Sequence, residues 1–254
     1  MQYFSLVARN ASASSDEHVT NSPLILLFIK APVKGQVKTR LAAVLGEDGA
    51  LDLYKRFVLD ILDTLAQTGV PVSICHTSTD SGTAITGWLG EGRHYVPQEG
   101  GDVGERMEKA FQRAFAGGAS RAVLIGSDIP DLQPEVFSEA FQALDRNDAV
   151  IGPARDGGYY LIGFRNDTLL PALFHGIEWS TNTVLKETLA ILAQARRTVH
   201  LLPLWGDVDT IEDLKDLADR GRLSAFRSSR TMSYLSGMKH SYLSPEDRDA
   251  KVRL

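Results

Sequence analysis

The segment Lys30-Ala31-Pro32-Val33-Lys34-Gly35-Gln36-Val37-Lys38-Thr39-Arg40 follows a short apolar run and gathers four cations around one glycine. A turn at Gly35 followed by a helix start bearing Lys38 and Arg40 would offer a phosphate backbone N–H groups, a positive dipole end and side-chain cations. The spacing is not that of a Walker loop, because Val37 rather than glycine precedes Lys38, and no GxGxxG follows the run. On its own such a charge run more often just solvates a surface loop. Its place directly after the first expected strand favours a nucleotide-phosphate cradle built from Lys30, Pro32, Lys38 and Arg40, with Lys38 and Arg40 also candidates to stabilise charge during reaction.

Two acidic segments could complement that cradle. Gly126-Ser127-Asp128-Ile129-Pro130-Asp131 delivers Asp128 from an apolar run, although an aspartate there can simply cap a turn. Asp207-Val208-Asp209 would put two carboxylates on one side of an extended segment, Asp209 otherwise serving as a helix cap. Separated aspartates of this kind can hold Mg²⁺ or Mn²⁺ against a nucleotide's phosphates, because such ions keep waters and need only one or two protein carboxylates. A third cluster, Asp156-Gly157-Gly158 with Trp179-Ser180-Thr181, mixes small, acidic and aromatic groups. Its glycines would admit a ligand close to the backbone, and Asp156 would bind or deprotonate an acceptor hydroxyl. Against this, Asp-Gly is a hairpin signal, Trp179 fits a partly buried core position, and Ser180 or Thr181 fits a helix cap.

These loops need a frame, and the apolar pattern supplies one. Residues 24–30 are a continuous apolar run expected as a central parallel strand. Leu51, Tyr54, Val58, Ile61 and Leu65 recur at helical steps up to Gly69. Strands are expected at 70–76, 94–97, 122–125, 149–153, 159–164 and 199–203. Helices are expected at 83–89, through Met107 to Phe115, at 134–144, from Ser180 or Thr181 to about 195, and at 211–219 behind Thr210. The alternation predicts an α/β fold: a three-layer, doubly wound, mainly parallel sheet with helices on both faces and an antiparallel hairpin insertion at 156–158. In such sheets ligands bind outside the strands' carboxyl ends, where all the loops above should lie.

Composition bounds the rest. The 254 residues carry 27 Lys+Arg against 32 Asp+Glu, a net charge of −5, with one cysteine. Cys75 alone cannot build a disulfide or a thiolate metal site, so oxygen-ligated ions are favoured. Residues 224–254 hold six Lys or Arg and three Asp or Glu, contributing +3 and leaving −8 on the remainder. An acidic body with a local basic loop suits a small phosphorylated ligand rather than nucleic acid. No run approaches the ~18 apolar residues of a membrane span, and the start of the chain lacks signal-peptide character, so a cytoplasmic location is expected. The expected organisation is a flexible leader at 1–22, one domain at 23–223 and a polar basic tail at 224–254.

Six motifs in order, FIKAPVKGQVKTRL (28–41), GGDVGERM (100–107), GSDIP (126–130), GPARDGGYYLIG (152–163), WST (179–181) and DVDTIEDL (207–214), resemble one family. It is the selenodomain-associated transferase family, also called arsenosugar-biosynthesis glycosyltransferase-like, and the resemblance spans 23 to about 220. That family is similar to phospholactate guanylyltransferases and, more distantly, to molybdopterin guanylyltransferase. The resemblance implies a GT-A, nucleotide-diphospho-sugar transferase fold. It implies phosphate contacts at Lys30, Lys38 and Arg40, a nucleobase near Gly101 and Arg106, and metal acids at Asp128 and Asp209, with Asp207 beside them. The first loop departs from nucleotidyltransferases, whose Gly-Gly-x-x-x-Arg-Met signature is replaced by KAPVKG. The leading expectation is a Mg²⁺- or Mn²⁺-dependent transferase with a nucleotide-sugar donor and a small-molecule acceptor. The alternatives are a nucleotidyltransferase that uses a nucleoside triphosphate and releases pyrophosphate, and a non-catalytic nucleotide-binding protein.

Overall fold

Our computed structural model of the chain describes residues 22–77 and 82–238, with main chain alone at 82 and 83. Seven strands, β1 (Ser22–Ile29), β2 (Val72–His76), β3 (His94–Pro97), β4 (Ala119–Ile125), β5 (Ala149–Pro153), β6 (Tyr159–Arg165) and β7 (Val199–Leu201), form one sheet. Their order is β3-β2-β1-β4-β6-β5-β7. Only β6 runs against its neighbours, pairing antiparallel with β4 and β5. The expected mainly parallel α/β sheet is present, and the expected hairpin is the β5–β6 pair, whose second strand slots between β4 and β5. Because β2 and β3 extend one way from β1 and β4 starts the other half, the switch point lies between β1 and β4, and sheets of this kind hold their ligands at such a point, outside the strands' carboxyl ends.

Helices α1 (Thr39–Gln67), α2 (Gly82–Leu89), α3 (Val103–Ala116), α4 (Pro134–Leu144), α5 (Val184–Gln194), α6 (Ile211–Arg222) and α7 (Arg230–Gly237) complete the layers. Alternate residues of β1 point to opposite faces. Ile25, Leu27 and Ile29 pack with Tyr54, Val58, Ile61 and Leu65 of α1 and with Phe137 of α4. Leu26 packs on the other face with Met107, Phe111 and Phe115 of α3, where Phe111 meets Phe164 edge-on at 5.2 Å. Burial on both faces explains why the strand reads as an unbroken apolar run. No helix among the described residues is long and apolar enough to cross a membrane.

Several boundaries differ from expectation for physical reasons. Helix α1 starts twelve residues before Leu51, but Gly46 (φ 75°, ψ 161°) kinks it, so one helical period cannot run through both parts. Strand β7 stops at Leu201, two residues short of Pro203, which lacks the N–H a ladder needs. Helix α5 begins at Val184, not after Ser180 or Thr181, and its cap residue Thr183 makes no side-chain capping bond. Helix α6 runs to Arg222 behind a reciprocal Thr210–Asp213 cap. The segment expected as a tail is not all tail: Phe226, Met232 and Leu235 are buried against Leu53, Phe57 and Leu214. The buried Asp60 carboxylate accepts from the N–H groups of Arg230 and Thr231, capping α7 from α1. The expected leader apart from Ser22, and residues 239–254, lie outside the described residues.

The β5–β7 edge is tied by Asp148, whose carboxylate accepts from Thr198 N (2.8 Å) and Thr198 Oγ1 (2.9 Å). The Thr198 backbone bond, helped by Arg197 and Arg165, holds its pKa below the ordinary carboxylate value. A depressed native value means that the stabilisation is present above the unfolded value and is lost as pH falls through the native one. Asp148→Asn is therefore expected to lower the thermal midpoint at neutral pH, with the gap to wild type closing below about pH 4. Midpoints recorded across an acid series check this; a gap independent of pH would contradict it.

Candidate active site

The expected loops meet at the carboxyl edge of the sheet. At the end of β1, the buried Tyr54 hydroxyl accepts from Lys30 N (2.7 Å) and donates to Lys30 O (3.0 Å), fixing the main chain where the cradle begins. Ala31 N donates to Thr77 Oγ1 at 3.0 Å, and Gln98 Nε2 reaches the carbonyls of Ile29 (3.3 Å) and Cys75 (2.8 Å). The loops after β1, β2 and β3 are thus one hydrogen-bonded unit. Lys30 and Arg40 are exposed, and Pro32 is half-buried between them in sequence. Lys34 leaves the group: it turns outward and pairs with Asp48 at 2.8 Å on the surface.

Lys38 is placed differently from its neighbours. It caps α1 in the left-handed region (φ 48°, ψ 45°), unusual for a residue with a Cβ and a mark of functional strain when it occurs. Its ammonium is buried and pairs with Asp128 Oδ1 (2.5 Å) and Asp209 Oδ1 (2.9 Å), and donates to Val208 O (2.7 Å). Burial alone would pull its pKa down, but the Asp128 and Asp209 charges more than offset that and hold it above its ordinary value. Burial likewise pushes Asp209 up, while Lys38, Arg40 and Lys30 draw it below the usual carboxylate range. The sequence reading gave Lys38 to a phosphate; the geometry gives it first to the two acids.

Asp207 sits in the same field. Its pKa is pushed up to about 6, by burial first and then by the charges of Asp156, Asp209 and Asp128. Asp207 therefore feels a net negative field, whereas Asp209, beside Lys38, feels a net positive one. The residues fit a hard divalent ion to that extent: oxygen donors on two loops, held together by Val208 N donating to Asp128 O at 2.9 Å. They do not form a ready cage, since no group of three or more potential ligands of the kind that grips an ion alone occurs among the described residues. Two carboxylates completed by water and phosphate oxygens is the mode Mg²⁺ prefers.

A brace lies behind this centre. Asp131, with a side chain 5% exposed, accepts from Arg220 Nε at 2.6 Å and Nη2 at 3.3 Å, and from Trp205 Nε1 at 3.2 Å. Arg220 also donates to Gly206 O at 3.2 Å, one residue before Asp207. The brace locks the Asp128 loop to the Asp207–Asp209 loop from outside the pocket. Removing one member of a largely buried ion pair strands the other, so Asp131→Ala is expected to destabilise the fold by about 2 kcal/mol, less than a fully buried pair because Arg220 stays partly hydrated. Chemical denaturation measures the loss; a change near zero would contradict the brace.

On the far side, Asp102 caps α3 by accepting from Glu105 N (2.8 Å), and Glu105 Oε2 accepts from Gly101 N (2.8 Å). Arg106 is half-buried and donates through Nε to Gly100 O at 3.2 Å, which shapes the expected nucleobase side. Gly104 lets Trp179 press on this helix start, since a Cβ there would lie 2.6 Å from the indole and 2.4 Å from Phe174 O. Trp179 therefore joins the α3 end to the 178–183 segment. Ser180 is exposed at φ 66°, and Thr181 Oγ1 donates to Glu178 O and bonds Thr183, so neither caps α5 as expected. Asp156 is exposed and its Oδ1 accepts from Gly158 N at 2.8 Å, while Gly157 O accepts from Leu185 N at 2.9 Å.

The matched family model, described as "Uncharacterized protein conserved in bacteria (DUF2064)", covers residues 61–181. A crystal structure from Desulfovibrio desulfuricans G20, provisionally titled a nucleotide-diphospho-sugar transferase, is 43% identical, with a TM-score of 0.83 over 87% of this chain and 96% of that one. The chain belongs to the DUF2064 family. Two more distant structures share the fold with this DUF2064 protein. A Methanothermobacter nucleotidyl transferase, Mth528, is 15% identical with a TM-score of 0.57, over 79% of this chain and 97% of that one. Rv0371c of Mycobacterium tuberculosis H37Rv, solved with manganese, is 17% identical with a TM-score of 0.50, over 79% and 99%. No curated protein matches the sequence.

The sequence missed Tyr54, Thr77, Gln98, Asp131, Trp205 and Arg220 as builders of the site. Tyr54 reads only as part of an apolar helix face, and the Asp131–Arg220 pair joins residues 89 apart. Asp131, three residues beyond Asp128 in the same loop, was the one available signal.

Proposed function

We propose that this DUF2064 protein is a divalent-cation-dependent transferase that takes a nucleotide-sugar donor and passes the sugar to a small hydroxyl-bearing acceptor. The observation that carries the reading is the convergence of Lys30, Lys38 and Arg40 with Asp128 and Asp209 at the sheet's switch point. The 43% identical D. desulfuricans protein, provisionally named a nucleotide-diphospho-sugar transferase, supports the same donor class. Lys30 and Arg40 would grip the diphosphate with exposed cations, and the Gly101–Arg106 turn would hold the base. Asp128 and Asp209 would hold Mg²⁺ or Mn²⁺, which when bound offsets charge growing on the leaving diphosphate. Asp156 would accept the acceptor's proton through its outer oxygen as the acceptor oxygen bonds the anomeric carbon and the diphosphate leaves with the bonding pair.

Nucleotidyl transfer is the competing reading, and the fold shared with Mth528 favours it. The two differ in what is released. The protein incubated with Mn²⁺, a panel of nucleotide sugars or nucleoside triphosphates, and mixed acceptors should release nucleoside diphosphate from a sugar donor. Pyrophosphate from a triphosphate would replace the glycosyl reading by the nucleotidyl one. No binding of any nucleotide would leave neither standing.

A further inference from the structure

Lys38 is held more completely than a side chain reserved for phosphate contact requires. Its ammonium has three acceptors, Asp128 Oδ1, Asp209 Oδ1 and Val208 O, one for each hydrogen. It lies 5.6 Å over the Phe57 ring, and its own side chain is 3% exposed while those of Asp128 and Asp209 are 46% and 39% exposed. A left-handed backbone at the start of α1 delivers it there. The inner side of the carboxylate pair is therefore filled by the protein's own cation, and only the outer side faces the crevice.

We propose that Lys38 is a built-in counter-ion that makes divalent-cation binding conditional on a bound nucleotide diphosphate. The inference rests on the metal-assisted transferase reading of this site. Asp207 lies in reach of Asp128, Asp156 and Asp209, and Asp209 in reach of Lys30, Lys38 and Arg40. Paired with both acids, Lys38 offsets one of the two negative charges that Asp128 and Asp209 would otherwise offer a dication, so the pair alone attracts one weakly. A diphosphate entering over Lys30 and Arg40 adds the negative charge that a dication then balances. Without Lys38 the two inner oxygens would face each other uncompensated, and a dication would serve them directly.

The test is Mn²⁺ binding, read from the loss of the free-ion electron paramagnetic resonance signal, by wild type and Lys38→Met. Each is titrated alone and with uridine, cytidine, guanosine and adenosine diphosphates. Wild type should bind Mn²⁺ alone at least about tenfold more weakly than with its best diphosphate, and Lys38→Met should bind Mn²⁺ alone at least about tenfold more tightly than wild type. A variant that binds Mn²⁺ alone no more tightly, while wild type still binds the ion with a diphosphate, overturns the counter-ion and leaves the transferase reading intact. Absence of Mn²⁺ binding by both proteins under all conditions overturns both. Because carboxylate repulsion works against folding of the methionine variant, Lys38→Gln is carried beside it and unfolding midpoints are recorded. Mn²⁺ alone should raise the variants' midpoints more than that of wild type, and an equal rise would count against the proposal.

Discussion

Replacing Asp128 or Asp209 with asparagine is expected to remove metal-dependent nucleotide binding while the protein stays folded. Each substitution keeps the shape of the side chain and deletes the charge. Even groups one shell away from a bound ion typically change its affinity by 10- to 100-fold, so loss of a direct oxygen donor should cost at least about 100-fold. Folding should suffer less, because both side chains are partly exposed and Lys38 keeps one carboxylate and the Val208 carbonyl. Val208 N continues to hold the Asp128 main chain, so the two loops stay together. Calorimetric titration with Mn²⁺ and the best diphosphate, paired with a thermal melt, separates the two effects. Unchanged metal-dependent binding in both variants would show that the acids are Lys38's partners and nothing more.

The second large effect is expected at Gly157. Its φ of +92° lies where a side chain is strained, and a Cβ there would sit 2.2 Å from the Asn182 carbonyl oxygen and 2.7 Å from Asn182 C and Cα. Those are backbone atoms, which cannot turn aside as a side-chain tip would. Left-handed strain of about 1 to 2 kcal/mol adds to overpacking of about 1 to 3 kcal/mol, so Gly157→Ala should destabilise by between about 2 and 5 kcal/mol. The 154–158 bend can escape only by leaving the 182–185 segment, which breaks the Leu185 N to Gly157 O bond and displaces Asp156 from the crevice. A raised acceptor KM together with a lowered denaturation midpoint is the expected pair of readings. Wild-type stability in this variant would contradict the close approach.

Much of this arrangement is visible in the residue pattern because local chemistry determines it. Residues 24–30 must be buried on both faces, and the Asp-Gly-Gly bend must reverse the chain, so the sheet and its single antiparallel strand can be anticipated. The general preference for ligands at carboxyl strand ends then ranks 31–40, 98–106, 126–131 and 153–158 together. What stays hidden is polar pairing between distant segments. Lys38 and Asp209 are 171 residues apart, and Asp60 caps a helix 170 residues further on. No periodicity carries such information. The 225–237 segment reads as polar because three buried apolar side chains suffice to dock it. Ser180 and Thr181 read as caps because their types suit that role, yet tight packing of Trp179 on Gly104 shifts the start of α5 to Val184.

One crevice, between the Lys30–Arg40 loop and the Asp128 and Asp209 loops, is expected to take a nucleotide diphosphate and its metal together. A crystal structure of the protein grown with Mn²⁺ and the diphosphate that binds best, with data collected at the manganese edge, tests this most directly. The expected result is one anomalous peak bridging the outer oxygens of Asp128 and Asp209 to a diphosphate that spans Lys30 and Arg40, with its base beside Gly101 and Arg106. A nucleotide lying elsewhere, or a diphosphate seated on Lys30 and Arg40 with the anomalous peak away from both acids, would contradict the account.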